Sequence, residues 1–182
     1  MPAKKNKSKN QAESFLPKYK SGAIEEFSKD DRDRIMLSCV GKVKDIVVKE
    51  HYVGQNPFND EKALALDDYA QEQARKRKSE SPNSVDMVVG CEKHVLFMIE
   101  AKINSQSMKQ LPDDIKEKII ASKKLLQDSE NYQYHVHQTT GVLLNDKNFE
   151  VNARELMQRM DQRYKIKPMT VIDMYNNVFV KE

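Results

Sequence analysis

The stretch "VDMVVGCEKHVLFMIEAKI", Val85 to Ile103, constrains this chain more than any other. Two apolar runs flank the short turn "GCEKH". Runs of this length, rich in valine, isoleucine and phenylalanine, read as strands, and the turn between them reads as a hairpin. Strands are therefore expected near 84–90 and 95–103, paired antiparallel and buried. Three charged residues sit inside these runs: Asp86, Glu100 and Lys102. A buried charge is costly unless it is paired or holds a metal, so their presence calls for a chemical reason.

The rest of the chain supplies helices to cover such a sheet. "SKDDRDRIMLSCVGKVKDIVVKE" opens on a Ser/Asp cap signal, and Met36, Val40, Val43 and Val47 repeat at helical spacing. Its end, "DIVVKEHYVG", is rich in β-branched residues and is equally compatible with a strand. A second helix is expected over 59–78, with acids in its first turns and Arg75, Lys76, Arg77 and Lys78 in its last, as the helix dipole favours. "LPDDIKEKIIASKKLLQDS" reads as a helix started by Pro112 and two aspartates, with Ile115, Ile119 and Leu126 on one face. "YHVHQTTGVLLND" supplies a third strand, "FEVNARELMQRMDQRY" another helix, and "PMTVIDMYNNVFV" a last strand or hairpin. This mixed order predicts an α/β fold, with a central sheet flanked by helices.

Length and composition fit one domain. The chain has 182 residues, 38% of them hydrophobic and 32% charged, enough for a real core under a heavily charged surface. Residues 1–20 are rich in Lys, Asn and Ser and are expected to form a disordered basic tail before a single domain over 21–182. The net charge of +3 excludes a uniformly polybasic binder, so affinity for nucleic acid has to come from a local patch. Cys39 and Cys91 have neither disulfide nor zinc-site spacing. No apolar stretch approaches a bilayer's span and no hydrophobic region follows the basic start, so a soluble, cytoplasmic protein without membrane contact is expected.

The three charges define the candidate chemistry. Strand side chains alternate, so Glu100 and Lys102 share a face and Ala101 points into the other layer. A hairpin that pairs Val89 with Phe97 sets Asp86 across from Glu100. Two carboxylates side by side repel, and a divalent cation relieves that repulsion. Mg²⁺ needs only one or two carboxylates beside water and phosphate oxygens. Lys102 is then placed to orient an attacking water and to stabilise charge developing on a phosphate.

These residues resemble the core motif of the PD-(D/E)XK, or restriction-endonuclease-like, nuclease superfamily. There an acid begins one central strand and (D/E)xK lies on the next, matching Asp86, Glu100 and Lys102 here. The resemblance implies an αβββαβ core within residues 30 to 145. It implies hydrolysis of DNA phosphodiesters with Mg²⁺ or Mn²⁺, the cation held by Asp86, Glu100 and the backbone carbonyl of Ala101. It also implies a glutamate on a preceding helix. Glu72, Glu61 and Glu50 are the candidates, and Glu72, which lies 14 residues before Asp86, is preferred. Pro82 stands four residues before Asp86 rather than directly before it. Family members often dimerise, so a homodimer is compatible with the resemblance. The alternative class is a non-catalytic interaction protein, an immunity or regulatory partner of another protein on the same scaffold.

Overall fold

The computed structural model describes residues 15–31, 34–105, 107–128 and 133–180. Seven strands form one mixed sheet: β1 (Val40–Lys42), β2 (Lys62–Ala65), β3 (Met87–Cys91), β4 (Val95–Lys102), β5 (His135–Val136), β6 (Thr139–Leu144) and β7 (Lys165–Met169). The order across the sheet is β1-β2-β3-β4-β6-β7, with β5 also on β4. β1 through β4 are antiparallel neighbours, whereas β4, β6 and β7 run parallel. β5 and β6 both pair with β4, their registers offset by two residues, so "YHVHQTTGVLL" is one strand interrupted by a bulge at His137 and Gln138.

The central hairpin has the expected register: Val89 faces Phe97 and Met87 faces Ile99. All five residues of β3 are buried, and so are the first seven of β4. Alternate side chains enter two different cores. Met87, Val89, Phe97 and Ile99 pack towards α3 (Val43–Lys49) and α7 (Val171–Met174). Val88, Leu96 and Met98 pack towards α1 (Ala23–Lys29), α4 (Leu66–Arg77), α5 (Leu111–Gln127) and α6 (Phe149–Arg159). The continuous apolar runs follow from this, since a strand covered on both faces has no solvent side.

The helix starts obey local chemistry. Asp67 and Asp68 open α4, and Asp113 and Asp114 follow Pro112 into α5. Thr170 and Asp173 cap α7 reciprocally. Gly90 is required by a close approach: a Cβ there would lie 2.5 Å from the backbone nitrogen of Ile24, so α1 sits directly on the hairpin.

Four expectations are corrected. The segment 28–50 is not one helix: α2 (Ile35–Ser38) gives way to β1 and then α3, because Val40, Gly41 and Lys42 pair with β2. The helix expected over 59–78 starts only at Leu66, since "KALA" is β2, inserted between β1 and β3. Residues 15–20 of the expected tail are placed: Tyr19 bridges Cys91, and its amide donates to the carbonyl of Val178. Residues 1–14 lie outside the described residues. The last segment, expected as a strand or a hairpin, gives only Pro168 and Met169 to the end of β7 and then turns into α7 and a π-helical turn (Tyr175–Phe179).

Candidate metal centre

The site lies where the start of β3, the end of β4, the C-terminus of α3 and the N-terminus of α4 converge. Backbone hydrogen bonds bring these ends together. The Leu66 amide donates to the Asp86 carbonyl at 3.1 Å, which seats the first turn of α4 beside β3. The Val85 amide donates to Ser122 Oγ at 2.9 Å, which ties α5 to the same strand entry. Lys49 Nζ reaches Asp68 at 2.8 Å and Asp67 at 3.4 Å, bridging α3 to α4. Glu50, the residue that ends α3, is thereby held next to Asp67.

Carboxylate oxygens of Glu50, Asp67 and Asp86 lie within 4.8 Å of one another, a group able to hold a metal ion. Asp86 is buried, and its Oδ2 accepts from the Ala101 amide at 2.6 Å. A strand residue directs its N–H and C=O to the same edge, so the Ala101 carbonyl also lies on the Asp86 side. Burial raises the carboxyls of Glu50 and Asp67, and the charge of Asp86 raises both further. Such a crowd of acids is electrostatically unbalanced, and a divalent cation is the direct remedy.

Glu100 is placed beside this trio without being one of it. It is 0% exposed. Its Oε1 accepts from Lys118 Nζ at 2.7 Å and from Lys102 Nζ at 2.9 Å. Its Oε2 is buried with no hydrogen-bond partner. Burial first, and the Asp86 charge second, push its carboxyl up to about 7, against the opposing pull of the two lysines. Lys102 also pairs with Asp114 at 2.7 Å, and Asn83 donates to the same aspartate. Burial alone would lower the Lys102 ammonium, but Glu100 and Asp114 outweigh it and raise it. Lys102 is thus a fixed cation rather than a proton acceptor.

Lys102 does pair with Glu100, and the register sets Asp86 opposite Glu100, but the expected ligand pair is corrected: the acidic group joins Asp86 to Glu50 and Asp67 rather than to Glu100, which the two lysines engage instead. The preferred helix glutamate is corrected. Glu72 points to Arg75, 2.5 Å away on the same helix, and takes no part in the acidic group. Its position explains why: it is five residues beyond Asp67, about 140° round the helix and about 7.5 Å along it. Glu61 caps the Asn59 amide instead. Of the three glutamates named from the sequence, Glu50 is the one in the site. Asp67 and Lys118 were missed. Asp67 looks like any first-turn acid, and Lys118 was detectable only as the residue one helical turn from Asp114.

Comparison with family models, with curated proteins and with solved structures returns no match. No helix among the described residues is long and apolar enough to cross a membrane.

Proposed function

We propose that this protein is a metal-dependent nuclease-like hydrolase acting on nucleic-acid phosphodiesters, DNA foremost. The observation that carries the reading is the meeting of Glu50, Asp67 and Asp86 beside a buried Glu100 whose Oε2 has no partner. The arrangement of β2, β3 and β4, followed by α5 and the parallel strand β6, supports a restriction-endonuclease-like core.

Glu50, Asp67 and Asp86 would hold Mg²⁺ or Mn²⁺, hard cations that prefer oxygen ligands, with the Ala101 carbonyl on the same edge. Once bound, such a cation polarises a phosphate oxygen and acidifies a coordinated water. The protein's own groups do the rest. Lys102, kept charged by Glu100 and Asp114, offers an ammonium to the negative charge that grows on phosphate. Lys118 shares Glu100 with Lys102, so Lys102 can turn to substrate without leaving Glu100 bare. The Asp86–Ala101 bond fixes the end of β4 that presents Glu100 and Lys102.

The test is cleavage of single- and double-stranded DNA with Mg²⁺ or Mn²⁺, comparing the native protein with Asp86→Asn. Metal-dependent cleavage that the variant loses supports the reading, and undiminished cleavage by the variant refutes it. The closed network of Glu100, Lys102, Lys118 and Asp114 favours a second reading, a non-catalytic protein-binding module on the same scaffold. Titration calorimetry separates them, because that module binds neither Mg²⁺ nor Mn²⁺ at the acidic trio.

A further inference from the structure

Helix α5 and strand β4 meet through two ion pairs set in register. Asp114 and Lys118 are four residues apart on α5, so they share a face about 6 Å apart along the axis. Glu100 and Lys102 are two residues apart on β4, so they share a face about 6.6 Å apart. The spacings match, and each charge on the helix meets its opposite on the strand. Lys118 Nζ lies 2.7 Å from Glu100, and Lys102 Nζ lies 2.7 Å from Asp114 Oδ2. Lys102 also reaches Glu100 at 2.9 Å.

The two pairs are not equivalent. The Glu100 side chain is fully buried, whereas the Asp114 side chain is 35% exposed. A further group holds Asp114 in place. Asn83, three residues before Asp86, donates from Nδ2 to Asp114 Oδ1 at 3.2 Å. A carboxylate only accepts, so one oxygen is given to the loop entering β3 and the other to Lys102. Burial alone would raise the Asp114 carboxyl, but the bonds from Lys102 and Asn83 outweigh it and hold it below the usual range. A lysine ammonium carries three N–H donors on a flexible four-carbon stem, so a single partner leaves it free to swing. Here two carboxylates restrain it from two sides.

We infer that Asp114 is the positioning residue of Lys102, the tether that keeps its ammonium on the scissile phosphate when it turns from Glu100, and that Asn83 holds the tether. This rests on the phosphodiester reading above. Lys118 keeps Glu100 paired during that turn, and Asp114 keeps Lys102 from swinging away. A plain helix-start role would not need Asp114, because Asp113 stands in the same first turn and serves the dipole as well.

The experiment is a double-mutant cycle on Mg²⁺-dependent DNA cleavage, with Asp114→Asn made in the native chain and in Lys102→Ala. In the native chain kcat should fall about 10–100-fold, up to the cost of misplacing a group by about 1 Å, with KM within about twofold. In Lys102→Ala the same substitution should change nothing, because the group it positions is gone. Asn83→Ala, at an exposed position, should repeat the pattern with a smaller loss, and it decides alone if thermal melting shows Asp114→Asn unfolded. An equal loss in both backgrounds, or no loss in either, overturns the inference. A second readout needs no cleavage. By NMR of isotope-labelled lysine ammonium groups, the Lys102 signal, identified by its absence from Lys102→Ala, should be resolved in the native chain and broadened or lost in Asp114→Asn. A signal unchanged in the folded variant overturns the tether. No cleavage by the native chain, with that signal lost in the variant, refutes the nuclease and sustains the tether. Cleavage with equal losses in both backgrounds does the reverse.

Discussion

Strands β4 and β6 lie side by side and run parallel, pairing Glu100 with Val142 and Lys102 with Leu144. All four side chains face the same helical layer, yet one strand carries charges where the other carries aliphatics. Val142 and Leu144 show that this level of the sheet is dry, at 0% and 1% exposure. A carboxylate and an ammonium survive next door because α5 supplies Lys118 and Asp114. Burying an ion pair rarely improves stability over well-packed apolar residues. On the proposed reading, the difference between the strands marks where the chemistry would take place.

The largest expected effect falls on the charged strand. Lys102→Ala should lower metal-dependent cleavage by about 10²–10³-fold, as for loss of one preorganised charge donor. Lys118 still partners Glu100, so a thermal melt should show the variant folded. Full activity in it would erase the functional distinction between the strands.

Copying β6 onto β4 tests the distinction by stability. Glu100→Val should destabilise by about 3–5 kcal/mol in urea unfolding, because two largely buried ammonium groups lose their shared carboxylate. On β6, Leu144→Ala should cost about 2–5 kcal/mol through the cavity it leaves. Its cleavage rate per folded molecule should stay the same, and a selective loss of cleavage would mean that the aliphatic strand shares the chemistry.

Protonation separates the strands again. The Glu100 carboxyl is raised from 4.5 to about 7, chiefly by burial and then by Asp86, and Glu50 and Asp67 are raised too. The folded chain thus holds protons that the unfolded chain has released. This contribution is full below about pH 4.5 and fades as pH rises through 7, by up to about 3 kcal/mol. Urea midpoints measured from pH 5 to 8 should fall accordingly, and Mg²⁺ should flatten the fall. A midpoint that rises over that range would contradict this account of the acids. The smallest effect belongs to Glu72→Ala, a half-exposed partner of Arg75, which should change stability by less than about 0.5 kcal/mol. Calorimetric Mg²⁺ affinity should not change. A weakened affinity would restore Glu72 to the site.

The legible parts were those that the chain encodes locally. The hairpin register follows from two apolar runs around one turn, and that register sets Asp86 across from Glu100. Helix α5 showed itself through Pro112 and the stripe Ile115, Ile119 and Leu126. Short strands were hidden. "KALA" is made of residues that favour helices, and only pairing with Val40–Lys42 and with Met87 and Val88 makes it β2. The same nonlocality concealed Asp67 and left Glu50 indistinguishable from Glu61 and Glu72. Asp67 and Glu50 each look locally like an ordinary helix-end acid, and only the Leu66–Asp86 bond and the Lys49 bridge bring them to one point.

Tyr19 joins Val178 through its backbone and stacks on Phe179, while its neighbours Lys18 and Lys20 bond to the turn of the central hairpin. During synthesis the early segment must wait for a companion 159 positions downstream. At ribosomal speeds of about 5–20 residues per second, that delay is roughly 8–30 s. Throughout it the apolar hairpin end lacks part of its cover.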